Sequence, residues 1–117
     1  MTGATIDRDA ILRDFTAAVN MTPADLERWL ATKESHAVGY KGRDGDAAES
    51  IGHASGRRIV AILRTRRPEL SDDDYAHMRR VIGYIRRHTA QGGPARDREH
   101  SRWRYSLMNW GHDPIRG

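Results

Sequence analysis

Five stretches of the chain place apolar residues three to four positions apart, the spacing of a helix with one buried face. Ile11/Leu12, Phe15 and Val19 predict a first helix over about residues 7–20. Leu26, Trp29 and Leu30 predict a second, behind Thr22 as N-cap and Pro23 at the first helical position. Ile59, Ile62 and Leu63 predict a third. Its run Arg58-Ile-Val-Ala-Ile-Leu would also suit a buried strand, but no second strand candidate exists to pair with it, so helix is preferred. The fourth opens at Ser71, with Asp72, Asp73 and Asp74 in the first turn, where carboxylates favour the helix dipole. Its stripe is Tyr75, Met78, Val81/Ile82 and Ile85, and it closes on Arg86-Arg87-His88, the favourable charge for a C-terminus. Trp103, Leu107 and Trp110 predict the fifth.

The helix breakers agree with this division. All four prolines fall where helices begin or end, and Gly111 before Pro114 is placed for a left-handed C-terminal cap. Glu34–Glu49, with Gly39, Gly42 and Gly45, reads as a long glycine-bearing loop, and Gly92–Glu99 as a linker before the last helix. The expectation is an all-α, single compact domain of about five helices over residues 1–117, with its core at about 7–114 and the long loop between the second and third helices. A chain of this length buries roughly two thirds of its unfolded surface, enough for one core without staples.

Composition narrows the chemistry. The chain has no Cys, so disulfides, thiolate metal sites and thiol nucleophiles are excluded. No apolar run approaches the roughly 18 residues that span a bilayer, and no basic-then-apolar leader opens the chain. The expected location is cytoplasmic, at the nucleoid if the ligand is DNA, with no membrane partner.

Charge changes the picture most. Residues 1–50 hold six Lys/Arg against nine Asp/Glu, whereas residues 51–117 hold fourteen against seven. Of the twenty basic residues only Lys33 and Lys41 are Lys. Arg offers a planar fork that matches phosphate oxygens and keeps its charge. On the fourth helix, at about 100° per residue, Tyr75, Met78, Ile82 and Ile85 fall within about 80° of arc. Arg79, Arg80, Arg86 and Arg87 share a neighbouring sector with Gly83 at its centre. The third segment and its C-terminal end add Arg57, Arg58, Arg64, Arg66 and Arg67. These nine arginines are the candidate nucleic-acid contacts, an electrostatic footprint suited to a polyanion. Two readings stand side by side: a free phosphate-binding face, or a solvated one paired with the chain's own Asp7, Asp9, Asp14 and Asp72–Asp74.

No other site competes. His36, His53, His77, His88, His100 and His112 form no metal-ligating or paired catalytic pattern. Ser50-Ile-Gly-His-Ala-Ser-Gly-Arg-Arg lacks the order of a Walker loop and the strand before it. Gly52, Ser55, Gly56 and Ile59 instead form a small-residue face for close packing, or Ser50 or Ser55 caps a helix whose amides face an anion. Trp29, Trp103 and Trp110 lie on apolar stripes, which makes them core residues, while Tyr40 and Tyr105 are freer to stack. The expectation is therefore a DNA-binding protein that contacts the backbone of double-stranded DNA non-specifically. It needs no cofactor, no metal, no small-molecule substrate and no catalytic residues. The alternative is a protein–protein interaction adaptor without a nucleic-acid ligand, docking a protein partner on the small-residue face and the long loop.

Three stretches carry a resemblance. They are Val19-Asn20-Met21-Thr22 with Leu26-x-x-Trp29-Leu30; Ser50-Ile51-Gly52-His53-x-Ser55-Gly56-Arg57-Arg58-Ile59-Val60-x-Ile62-Leu63, continued by Asp74-Tyr75-x-His77-Met78-Arg79-Arg80-Val81; and Leu107-Met108-Asn109-Trp110-Gly111-His112-Asp113-Pro114. Together they resemble the domain-of-unknown-function family numbered 3140, of bacteria and fungi, over roughly residues 10–115. Members are often labelled DNA-binding proteins, so the resemblance implies the same direction as the charge. It implies one intact domain and supplies no catalytic residues or cofactor.

Overall fold

The computed structural model describes residues 7–38 and 49–116. Among these residues every regular element is helical. Six α-helices follow one another: α1 Arg8–Ala18, α2 Pro23–Leu30, α3 Lys33–Ala37, α4 Ile51–Leu63, α5 Asp72–Gln91 and α6 Arg102–Asn109. Short 3-10 turns at Arg67–Glu69 and Arg98–His100 precede α5 and α6.

Each α-helix begins on a side-chain cap that accepts a backbone N–H left free in the first turn. Asp7, Thr22, Thr32, Ser50, Ser71 and Ser101 do so in chain order. At α5 the Asp74 carboxylate returns the bond to the Ser71 N–H, closing a capping box. Gly111 takes the left-handed conformation expected of it, at φ 83°. One helix was not foreseen: α3 lies at the start of the stretch read as a loop from 34 to 49, and residues 39–48 of that loop are outside the described residues.

α1 lies along α5, and α2, α4 and α6 pack on one another. Phe15, Leu26, Ile59, Met78, Val81 and Leu107 are fully buried where these groups meet, so each predicted stripe faces the core. The small-residue face of α4 is occupied from within. Gly52 lies against Asn109 and Trp110, and Gly56 against the Asn109 carbonyl and Leu30. α4 and α5 meet only over a short stretch and leave a cleft between them. Among the described residues, no helix is long and apolar enough to cross a membrane.

Candidate nucleic-acid interface

Helical periodicity puts the arginines of α5 on its outer side, because Tyr75, Met78, Val81, Ile82 and Ile85 are drawn into the core. Arg79 and Arg86 lean toward α1, where they line a shallow hollow with Ile11 and Asp14. Arg80 leans the other way, toward α4, and shares a cleft wall with Arg58 and His77. Arg87 lies between them, its guanidinium over Gly83.

Six of the nine candidate arginines meet carboxylates. Arg57 grips Glu49 through Nε at 2.7 Å and through Nη2. Arg64 makes a two-pronged contact with Glu27 at 2.6 and 2.8 Å. Arg67 pairs with Asp9. Arg86 is 3.7 Å from Asp14, Arg58 3.4 Å from Asp74 and Arg66 3.9 Å from Glu69. Four of these carboxylates belong to the acidic first half of the chain. Among the described residues, Arg79, Arg80 and Arg87 have no carboxylate within 4.0 Å, nor has Arg102 at the start of α6. The nine thus divide into a paired group and an unpaired ridge on α5, a division that residue types alone did not contain.

The fields follow this arrangement. Arg57 holds the Glu49 carboxyl down at about 2 against the opposing effect of burial, with His53 adding to the pull. His77, on the wall of the α4–α5 cleft, is pushed down to about 4 by burial and then by Arg58 and Arg80. Its ring is therefore neutral at pH 7, and its Nε2 is 2.9 Å from the buried Ser55 hydroxyl. Beyond it, His77, Trp110, Tyr84 and His88 form a run of stacked rings, with centroids 6.3, 4.2 and 4.1 Å apart. Ile51, 55 % exposed, forms the lip of the hollows on either side of Trp110. Sequence reasoning missed the Ser55–His77 pair because the partners lie 22 positions apart on different helices, α4 and α5. No local spacing links them.

The first and last of the stretches that carried the resemblance tie the fold together. Asn109 Oδ1 accepts from the Trp29 indole N–H at 2.7 Å and from the Ser35 hydroxyl at 2.5 Å, while its amide donates to the Ser35 carbonyl. The N–H groups of Asn20 and Met21 both donate to the Gly111 carbonyl. The Asn20 side chain pairs with the Asp113 backbone in both directions. His112 donates to the Ala18 carbonyl, and Asp113 receives both prongs of Arg104. These residues join α1, α2, α3 and the end of α6, so His112 and Asp113 tie the end of the chain to the fold. Of the two tyrosines read as freer to stack, Tyr105 sits 5.3 Å from Trp29 and Tyr40 is outside the described residues. Trp110 is buried as expected, and Trp29 and Trp103 are half-buried against the core.

No curated protein and no solved structure matches this chain. The model of one family does, a protein family of unknown function (DUF3140) matched over residues 14–108, and the chain belongs to that family.

Proposed function

We propose that this protein is a binding module rather than an enzyme. It binds nucleic acid, double-stranded DNA foremost, through the phosphate backbone, and works in the cytoplasm at the nucleoid. The observation that carries this reading is the unpaired ridge of α5. Arg79, Arg80 and Arg87 stand on a single rigid helix, and no carboxylate among the described residues lies within 4.0 Å of them. Eight residues of helix separate the outer two, a rise of roughly 12 Å, comparable with three to four base steps of a duplex strand. Gly83 between them seats the Arg87 guanidinium against the helix. A formal net charge of +4 adds a long-range attraction to any polyanion. Of the arginines that meet carboxylates, Arg86 and Arg58 stand beside this ridge, sharing hollows with Arg79 and Arg80. The adaptor alternative has less to rest on, because the small-residue face of α4 is filled by Leu30, Asn109 and Trp110.

Fluorescence anisotropy with labelled duplexes of two unrelated sequences tests the reading. Affinity is expected to be equal on both and to fall steeply with salt, by about 0.9 in log K per log salt for each phosphate neutralised. Replacing Arg79, Arg80 and Arg87 together with Gln is expected to flatten that slope by roughly 2 to 3. An unchanged slope removes the α5 ridge from the interface.

A further inference from the structure

The cleft between α4 and α5 has a wall that packing alone does not account for. Two adjoining hollows of about 270 and about 140 Å³ both include Arg58, His77 and Arg80 in their linings. The smaller one also has Asp73 on its rim, whereas the larger has no carboxylate in its lining. Arg80 makes no hydrogen bond or ion pair among the described residues, so its five N–H donors are uncommitted. Arg58 touches Asp74 through Nη2 alone, at 3.4 Å, and Asp74 is already held by the Ser71 N–H. Two guanidiniums from different helices thus face one recess with most of their donors unused.

We propose that this recess is a phosphate-binding site, in which Arg58 and Arg80 hold the phosphate oxygens above the Ser55–His77 pair. The recess selects an anion because guanidinium donors match phosphate oxygens and nothing in the larger hollow repels them. His77 reports the local field from inside the wall. Burial depresses its basicity most, Arg58 of α4 and Arg80 of its own helix add to this, the hydrogen bond to Ser55 and the charge of Asp74 oppose it, and the uncharged Trp110 ring stacks on it from the end of α6. A bound phosphate reverses the sign of that field. The inference rests on the nucleic-acid reading only through Arg80, which also belongs to the α5 ridge; the ligand here is the phosphate group itself, from a backbone diester or from free phosphate.

The test follows the His77 ring by NMR in the labelled full chain as inorganic phosphate is added, then a short duplex without terminal phosphates, against sodium chloride at matched ionic strength. Binding is expected to raise the pKa of His77 above its resting value of about 4. Arg58→Gln and Arg80→Gln are each expected to weaken phosphate binding about tenfold or more, since each removes charged hydrogen bonds. A response to inorganic phosphate alone assigns the site to free phosphate and separates it from the anisotropy result. A response to the duplex alone assigns it to the backbone, and a response to both assigns it to either source. If neither ligand moves His77 further than chloride does, or both variants bind phosphate like the parent, the recess is not a phosphate site.

Discussion

Two glycines in this chain do opposite work, and the difference lies in what surrounds a single missing methyl group. A Cβ on Gly56 would stand 2.5 Å from the Asn109 carbonyl oxygen and 2.7 Å from Leu30 Cδ2. Neither neighbour can retreat easily, because Leu30 is buried and Asn109 is pinned to Trp29 and Ser35. Gly56→Ala is therefore expected to cost about 1–3 kcal/mol, read from the denaturant midpoint. A Cβ on Gly83 would meet only the tip of Arg87, at 3.0 Å, and that tip can swing away. Gly83→Ala is expected to stabilise the protein by about 0.5–1 kcal/mol, since alanine is the better helix former. The same variant is expected to bind duplex more weakly, because the methyl group displaces the Arg87 guanidinium from its place on the ridge. If both substitutions shift stability in one direction, the close packing of α4 on α6 is not what holds Gly56. The small-residue face was legible in the sequence as a spacing of Gly52, Ser55 and Gly56. Which helix it receives was not, because Asn109 lies 53 positions away and no local pattern points to it.

At the scale of elements, the helices that bury an apolar stripe were the ones legible in advance. α1, α2, α4, α5 and α6 each combine a stripe with a cap residue, and periodicity and capping reinforce one another. α3 has only five residues and no stripe. It is held by the Thr32 cap and by Ser35, whose hydroxyl and carbonyl both bond to Asn109. A tertiary bond of that kind leaves no trace in the neighbouring sequence. The return of the chain after α6 depends likewise on a distant partner, since Asp113 is buried against Arg104. Burial alone would raise the Asp113 pKa, but the hydrogen bonds from Arg104 and the Ile115 N–H, with the charges of Arg104 and Arg116, lower it below 3.8. A carboxyl with a depressed folded pKa adds stability above its unfolded pKa, and that stability is lost as pH falls toward the folded value. Asp113→Asn is accordingly expected to lose about 2–4 kcal/mol at pH 7, because it leaves the Arg104 guanidinium half-buried without its counter-charge. Urea melts should show the gap between parent and variant narrowing below about pH 4. A gap that stays constant from pH 7 to pH 3 would mean that the Asp113 charge contributes nothing to the tie.

Across the whole molecule, the acidic opening half and the basic closing half are folded against each other. Arg8 of α1 pairs with Asp72 at the start of α5, while Asp9, Asp14, Glu27 and Glu49 receive Arg67, Arg86, Arg64 and Arg57. The half-to-half asymmetry was plain in the sequence, but composition could not say whether the two halves cancel or stand apart, because that depends on which surfaces α1 and α2 cover. The arrangement is partial cancellation, with the α5 ridge left over. Exposed ion pairs of this kind contribute little to stability. Their larger effect is on the outside, where each paired carboxylate weakens the field that a polyanion would feel. Removing the carboxylates should then leave the fold intact and strengthen binding. The variant Asp9→Asn, Asp14→Asn, Glu27→Gln frees Arg67, Arg86 and Arg64 without replacing any residue of the α5 ridge or the α4–α5 cleft. Its thermal midpoint is expected to stay within a few degrees of the parent's, since the pairs are exposed. Its affinity for duplex at low salt is expected to rise, and its salt slope to steepen by up to about 0.9 for each arginine that reaches a phosphate. The position of the gain maps the edge of the interface. Restoring Asp14 alone should remove it if Arg86, beside the ridge, is the residue that joins in. If the triple variant binds no more tightly and with the same slope, the freed arginines lie beyond the reach of the nucleic acid, and the interface is confined to Arg79, Arg80, Arg87 and their immediate neighbours.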